Sequence, residues 1–314
     1  MAAVDLEAFV VDVLVAVGMP VTQAELMADL LVATDLRCVF SHGTRQLPGY
    51  VRMVLDGRVN PRPEVTVTRE SDTTIVLDGD GGLGHLACHP GAEAAIAKAV
   101  AHGCGVVVTG NHFHIGSAGI YTRQALAHDC IAVATSSFRH AVRPPKSIWS
   151  LRNYAPLSVA VPAGDGPPLV LDMGSSLLPG SRLLIRRFPA VFLKELGLAS
   201  VAHALGGILA GVQRPEVTPP TSRWQSDQGA FIAVFALSSF VDPDEFKAEM
   251  RDHLENAGRL RPLPGFARAD LAGGPEWRWE TENAERGIPI GPEHQRELEA
   301  LADEVGVASP FSAA

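Results

Sequence analysis

The rhythm of its apolar segments restricts this chain most. Stretches with apolar residues at helical spacing alternate with short β-branched runs, without the regular strand–helix–strand beat of a doubly wound sheet. Helical spacing marks residues 6–17 and 23–36, the second with Thr22 as cap and Glu25 as box partner. It recurs at 51–55, 89–101, 117–128, 192–211, 243–257 and 292–305, with Asp242 placed to cap the segment from 243. Strand-type runs lie at 65–68 and 73–77 around a polar turn, then at 106–108, 131–135, 157–162, 169–173 and 231–240. Residues 60–63, 138–156, 215–229 and 259–280 read as connectors and loops. The expected class is α/β on a sheet that is not plainly doubly wound.

At 314 residues the chain can bury one large core or divide into two domains. Hydrophobic residues at 46% and charged ones at 19% exclude disorder. A net charge of −9 with no basic stripe argues against a nucleic-acid partner. Asp5 and Glu7 stand where a signal peptide carries basic residues. No run reaches the roughly 18 apolar residues of a bilayer crossing, and the nearest, 196–212, contains Ser200, His203 and several glycines. Cys38, Cys88, Cys104 and Cys130 lack metal-site spacing and read as reduced, mostly buried thiols. These features point to a soluble cytoplasmic protein without a membrane partner.

Two polar clusters carry the chemistry. The first is Ser41-His42-Gly43-Thr44-Arg45-Gln46-Leu47-Pro48-Gly49-Tyr50. Imidazole titrates near neutrality, so His42 can give and take a proton, and Arg45 can fork onto a carboxylate. The plainer reading makes Ser41 a helix cap among solvated neighbours. The second cluster, Asn111-His112-Phe113-His114-Ile115-Gly116-Ser117-Ala118-Gly119, follows a buried strand and opens a helix, where backbone N–H groups favour anions. Strand alternation would turn His112 and His114 to one face, but no third ligand accompanies them and no metal is expected. Gly79, Gly81 and Gly84 satisfy G-x-G-x-x-G between a strand and a helix, the setting of a dinucleotide fingerprint. Against it, the next strand ends Val108-Thr109-Gly110-Asn111 without the required acidic residue, and Asp78 and Asp80 would repel a pyrophosphate. A tight Asp-Gly turn explains the glycines as well.

Ser41-His42-Gly43 with Leu47-Pro48 and Tyr50, then Asn60-Pro61, the 78–84 glycine run, residues 114–119, Leu171-Asp172-Met173 and Gly287-Ile288-Pro289 occur in a telling order. This ordered set resembles the malate/L-lactate dehydrogenase type of NAD(P)-dependent oxidoreductase over nearly the whole chain. The resemblance implies a homodimer with a non-Rossmann cofactor domain, 71–242, on a mixed or antiparallel sheet. Residues 1–70 and 243–314 would form a helical, substrate-side region. It implies hydride transfer between NAD or NADP and a small 2-oxo or 2-hydroxy acid or cyclic imino acid. His42 matches the acid/base histidine and His114 the second active-site histidine. Ser41, Arg45, Gln46, Tyr50, Arg139, His140 and Arg143 are the expected substrate-side residues. Asp172, Met173, Gly174, Ser175, Ser176, Lys194 and Gly273 are the expected cofactor contacts.

The chain also departs from the family pattern. Gln46 stands where Ser-His-Gly-x-x-Arg-Leu-Pro has arginine, and Arg45, one place earlier, would point about 100° away on a helix. Loss of that fork deprives a bound carboxylate of a charge-assisted pair worth about 1.5–3 kcal/mol. Ala155-Pro156 replaces Asn-Pro, Gly274 replaces the glutamate of a Pro-Gly-Glu turn, and Ala230 stands where histidine is common. The stretch between Ser176 and Phe192 is shorter than relatives carry. An alternative is therefore a repurposed relative that binds, or catalyses something else, in the same pocket.

Overall fold

The computed structural model describes residues 1–140, 142, 144–152, 155–214, 224 and 226–311. The chain opens with α1 (Ala3–Ala16) and α2 (Val21–Leu36). The Pro20 carbonyl accepts from the N–H groups of Gln23 and Ala24, so Thr22 lies inside the first turn of α2 and caps nothing. Two 3-10 turns, Phe40–His42 and Thr44–Gln46, lead into α3 (Leu47–Leu55). There follow β1 (Thr66–Glu70), β2 (Thr74–Asp78), α4 (His85–His102), β3 (Cys104–His112), the short α5 (Gly119–Thr122) and β4 (Cys130–Phe138). Then come β5 (Pro156–Val161), β6 (Leu169–Gly174), α6 (Arg182–Arg187), α7 (Pro189–His203) and β7 (Gln228–Ala236). Helices α8 (Pro243–Gly258), α9 (Gly274–Arg286) and α10 (Pro292–Val305) complete the chain.

The seven strands form one mixed sheet in the order β1-β2-β3-β7-β4-β5-β6. Among these pairs β2 and β3 alone run parallel. Parallel neighbours need a long crossover, and α4 supplies it. The helix lies so close to β3 that a Cβ on Gly105 would fall 1.9 Å from the Ala95 carbonyl oxygen. The core between them joins Ile75, Leu77, Val107 and Ile232 of the sheet to Ala92 and Ile96 of α4.

A second core is helical. Leu6, Phe9 and Val13 of α1, Met27 and Leu31 of α2 and Val51 of α3 pack with Leu298 and Leu301 of α10. Burial of each large side chain contributes about 1.5–3 kcal/mol. The Met1 and Ile288 backbones bond reciprocally, at 3.2 and 2.8 Å, so both ends of the chain serve this core. Strand β1, within the 1–70 stretch, pairs into the sheet with β2.

Two expectations from periodicity change. Residues 117–128 form α5 and a 3-10 turn, Arg123–His128, instead of one helix. Helix α9 occupies part of the stretch read as loop, started by Gly273 in the left-handed region at φ +91°. With its π-helical continuation, α7 spans Pro189–Leu209, long and apolar enough by length and composition to cross a membrane. It packs on β4 through buried Phe192, Leu196, Ala199 and Ala202.

Candidate active site

A cavity of about 600 Å³ opens between the Phe40–His42 turn, the segment after β3 and the ends of β4 and β6. His42 and His114 share its wall with ring centroids 5.8 Å apart and planes within 28°. Ser41 Oγ lies 3.0 Å from His42 Nδ1, so this hydroxyl serves the imidazole and caps no helix. Behind His114, burial holds the Tyr50 phenol protonated far above its ordinary range, and its oxygen lies 2.7 Å from His114 Nδ1. Burial pushes His114 down to about 4, and positive charge on His42 pushes the same way. The His114 ring is therefore neutral near pH 7, able to donate or accept a hydrogen bond and not a carrier of charge. Fully buried His85 completes the cluster, 5.6 Å from Tyr50 and 6.5 Å from His114, and burial keeps it neutral.

The turn carrying His42 is fixed from beneath. Buried Asp35 of α2 accepts from the Thr44 N–H at 3.1 Å and its hydroxyl at 2.5 Å, and Thr44 Oγ1 lies 2.9 Å from His294 Nε2 of α10. Burial lifts the Asp35 carboxyl to about 7 against these bonds. Its Oδ1 lies under Gly43, where a Cβ would come within 1.8 Å, which is why glycine follows His42. Arg45 faces outward and pairs with Glu293 at 3.1 Å and Glu297 at 3.2 Å on α10. The Gln46 amide donates to the Ser41 carbonyl at 2.6 Å and closes the turn.

Asp172 of β6 faces the histidines across the cavity, accepting from the Ser117 hydroxyl and from the Gly119 N–H at 3.0 Å. Desolvation by the surrounding protein raises its carboxyl, and those bonds and the charges of His42 and Arg123 oppose the rise. Met173 and Gly174 continue this wall. The Ser175 N–H donates to the Ala155 carbonyl at 2.8 Å. Ser176 Oγ is buried without a hydrogen-bond partner among the described residues. Gly273 packs on the Val170 backbone and borders a second cavity of about 220 Å³, which shares Val39, Ser117 and Asp172 with the first.

Other expected residues stand apart from the cavity wall. Arg139 Nε donates to the Val212 carbonyl at 2.6 Å. The His140 ring lies 4.0 Å from that of His203, and Lys194 is exposed on α7. Arg143 lies outside the described residues. Ser117 of the second polar cluster lines the cavity, and so do Ser136, Arg152 and Gln228, which the sequence did not single out. They carry no motif of their own, and only the sheet order brings them together.

The glycine run is filled by protein. Gly81 adopts φ +69°, and a Cβ there would meet the Trp224 side chain at 2.6 Å; Gly82 would meet Pro63 at 2.5 Å and Gly84 Ile115 at 2.6 Å. Asp80 Oδ2 accepts from Asn60 Nδ2 at 2.9 Å and the Glu64 N–H at 3.1 Å. A fingerprint cradling phosphates is thereby set aside. His112 and His114 also part company. Asn111 at φ +53° breaks the alternation, and His112 turns inward to Thr109 Oγ1 at 2.8 Å and the Phe113 carbonyl at 2.7 Å.

Residues 1–187 match the family described as malate/L-lactate dehydrogenase. The malate dehydrogenase of Pyrococcus horikoshii is 30% identical over 95% of this chain and 93% of its own length. Its structure superposes with a TM-score of 0.84, covering 98% of this chain and 96% of that one. The L-sulfolactate dehydrogenase of Methanocaldococcus jannaschii is 28% identical over 82% of this chain and 83% of its own. The malate dehydrogenase of Entamoeba histolytica, 24% identical, shares the fold with a TM-score of 0.83 over 99% of each chain.

Proposed function

The chain belongs to the malate/L-lactate dehydrogenase family, and from that premise we propose hydride transfer between a nicotinamide dinucleotide and C2 of a small 2-oxo or 2-hydroxy acid, or of a cyclic imino acid. The observation that carries this reading is the pair of imidazoles 5.8 Å apart on one cavity wall, one of them locked neutral. The residues present fit a dinucleotide. The cavity lies within the usual size of small-molecule sites, it continues past Asp172 into a second one bordered by Gly273, and the buried Ser176 Oγ lacks a protein partner. Asp172, Met173, Gly174, Ser175, Ser176 and Gly273 are the residues that would hold the cofactor, whose nicotinamide supplies or takes the hydride.

The chain's own groups then handle the proton. His42, half-buried beside Ser41 Oγ, gives a proton to the C2 oxygen or nitrogen as it becomes basic, a step worth about 10²–10⁴-fold. His114 donates from Nε2 to the same atom as negative charge develops there, and Tyr50 holds the ring in place with that nitrogen toward the cavity. Oxidation of a hydroxy acid runs the same steps in reverse.

A second copy of the chain belongs to this reading. Leu193, Val201, Ile208 and Leu209, on α7 and its continuation, are 53–66% exposed, an apolar face that a homodimer would cover. Four free cysteines, two of them buried, suit a reducing cytoplasm. Fluorescence titration with NADH and NADPH, followed by a screen of 2-oxo acids and cyclic imines, tests the proposal. Saturable binding of one dinucleotide and turnover that His42→Ala abolishes are expected. A folded protein that binds neither dinucleotide refutes it.

A further inference from the structure

We propose that Glu276 makes this chain select NAD over NADP, by accepting from the adenosine ribose of a dinucleotide whose 2′-phosphate it would repel. The inference rests on the reading above and deepens it. The second cavity, about 220 Å³, opens off the first beside Val39, Ser117 and Asp172. Asp172 to Gly174 of β6 line the reaction cavity, whereas Val170 to Asp172 line this one, which therefore lies further along the strand from the two histidines. The nicotinamide has to lie beside those histidines, which leaves the side chamber to the other half of the molecule. Glu276 enters it from the first turn of α9. Its side chain is half-buried, and its Oε2 is buried without a hydrogen-bond donor among the described residues. A first-turn carboxylate gains from the helix dipole wherever it points. An anionic oxygen turned inward without a donor costs free energy, and a ribose hydroxyl entering the cavity supplies the missing hydrogen.

The charges around the cavity favour a neutral group. Arg37 and Arg123 line it together with Glu276 and Asp172. Arg37 is taken by Glu280, donating from Nε at 3.0 Å and from Nη2 at 2.5 Å. Arg123 makes no hydrogen bond or ion pair among the described residues. Burial and the charge of Arg37 lower its pKa, while Glu280, Glu276 and Asp172 oppose that from a distance. Three carboxylates thus face two guanidinium groups. A phosphate monoester would add up to two more negative charges. A ribose diol adds none, and it can accept from Arg123 while it donates to Glu276. An acid at the ribose hydroxyls favours NAD in doubly wound folds, where it comes from the end of a strand. Here the acid comes from the start of a helix, and Gly273, packed on the Val170 backbone, sets that helix against β6.

The test measures Kd for NADH and NADPH by calorimetry on wild type, Glu276→Gln, Glu276→Ala and the control Glu282→Gln, an exposed acid on the same helix. Melting curves establish that each is folded. Wild type should bind NADH at least about tenfold more tightly than NADPH, the worth of one hydrogen bond to a charged acceptor. A smaller preference, or one for NADPH, refutes the proposal. Both Glu276 variants should narrow the ratio about fivefold or more, by weakening NADH, tightening NADPH or both. A Glu276 variant that keeps the ratio, whether neither Kd moves or both move by one factor, also refutes it. The control should leave the ratio within twofold; a control that narrows it equally would trace the effect to helix charge and overturn the role of this carboxylate. A folded wild type that binds neither dinucleotide refutes the hydride-transfer reading and this inference with it. Binding and turnover that favour NADPH leave that reading standing and overturn this inference alone.

Discussion

Tyr50→Phe deletes one oxygen and leaves His114 Nδ1 as a buried acceptor with no donor. Stranding such a group costs about 1–3 kcal/mol of stability, a fall of several degrees in Tm for a chain of this size. The functional effect is separate. In wild type the phenol holds the His114 ring in place with Nε2 toward the cavity; without it the ring loses that anchor and its donor is misaligned. Loss of roughly 1–2 kcal/mol of that donation in the transition state lowers kcat about five- to thirty-fold. The pH profile should shift as well. Donation to Nδ1 favours the neutral ring, so its loss lets His114 rise from about 4, by roughly half to one unit. Activity that disappears as His114 gains a proton then disappears at higher pH, moving the acid limb upward. Initial rates from pH 4 to 9, with nitrogen-15 spectra of the imidazoles to report the tautomer, measure both effects. A variant with kcat within twofold of wild type and an unmoved acid limb would show that Tyr50 does not set the state of His114.

Asp35→Asn tests the support beneath His42. The carboxyl titrates near 7 when folded against an ordinary value of 3.8, so the native state keeps a proton that the unfolded chain has released, and wild type loses stability as pH climbs across that window. The variant has no such proton, and urea unfolding should show the difference swinging in its favour by about 1.4 kcal/mol per pH unit from about pH 4 to 7, then levelling. A difference independent of pH would refute the raised carboxyl. Gly81→Ala places a Cβ against Trp224 at a left-handed position, so it should lower stability by about 2–4 kcal/mol while the folded protein keeps its dinucleotide Kd within threefold. Selective loss of dinucleotide binding would restore the fingerprint reading. Val201→Asp with Ile208→Asp should convert a dimer into monomers by light scattering; a monomeric wild type would refute the proposed second copy.

Much of the fold was legible because its elements announce themselves locally. Helix α10 runs from Pro292 to Val305, the bounds its periodicity predicts, and Asp242 caps α8 by accepting from the Asp244 and Glu245 N–H groups. Helix α9 was not legible. Its Glu276-Trp277-Arg278-Trp279-Glu280 run mixes indoles with charges, and its start depends on Gly273 fitting against the Val170 backbone. The same division holds at the site. His42, His114 and Asp172 meet around one cavity as their ordered motifs suggested. Arg45 was counted among the substrate-side residues because nothing local reveals that Glu293 and Glu297 await it on α10. Arg152 stayed hidden for the complementary reason, since only the fold brings it beside Glu195 and Trp149 on the cavity wall, and no motif records that.

The hydrogen bond between Thr44 and His294 spans 250 residues of sequence. The turn that positions His42 is therefore finished by α10, the last of the described helices. During synthesis all the strands of the sheet are made before that helix. A chain clipped before α10 would keep every strand of the sheet yet lose the contact that steadies the turn beneath His42.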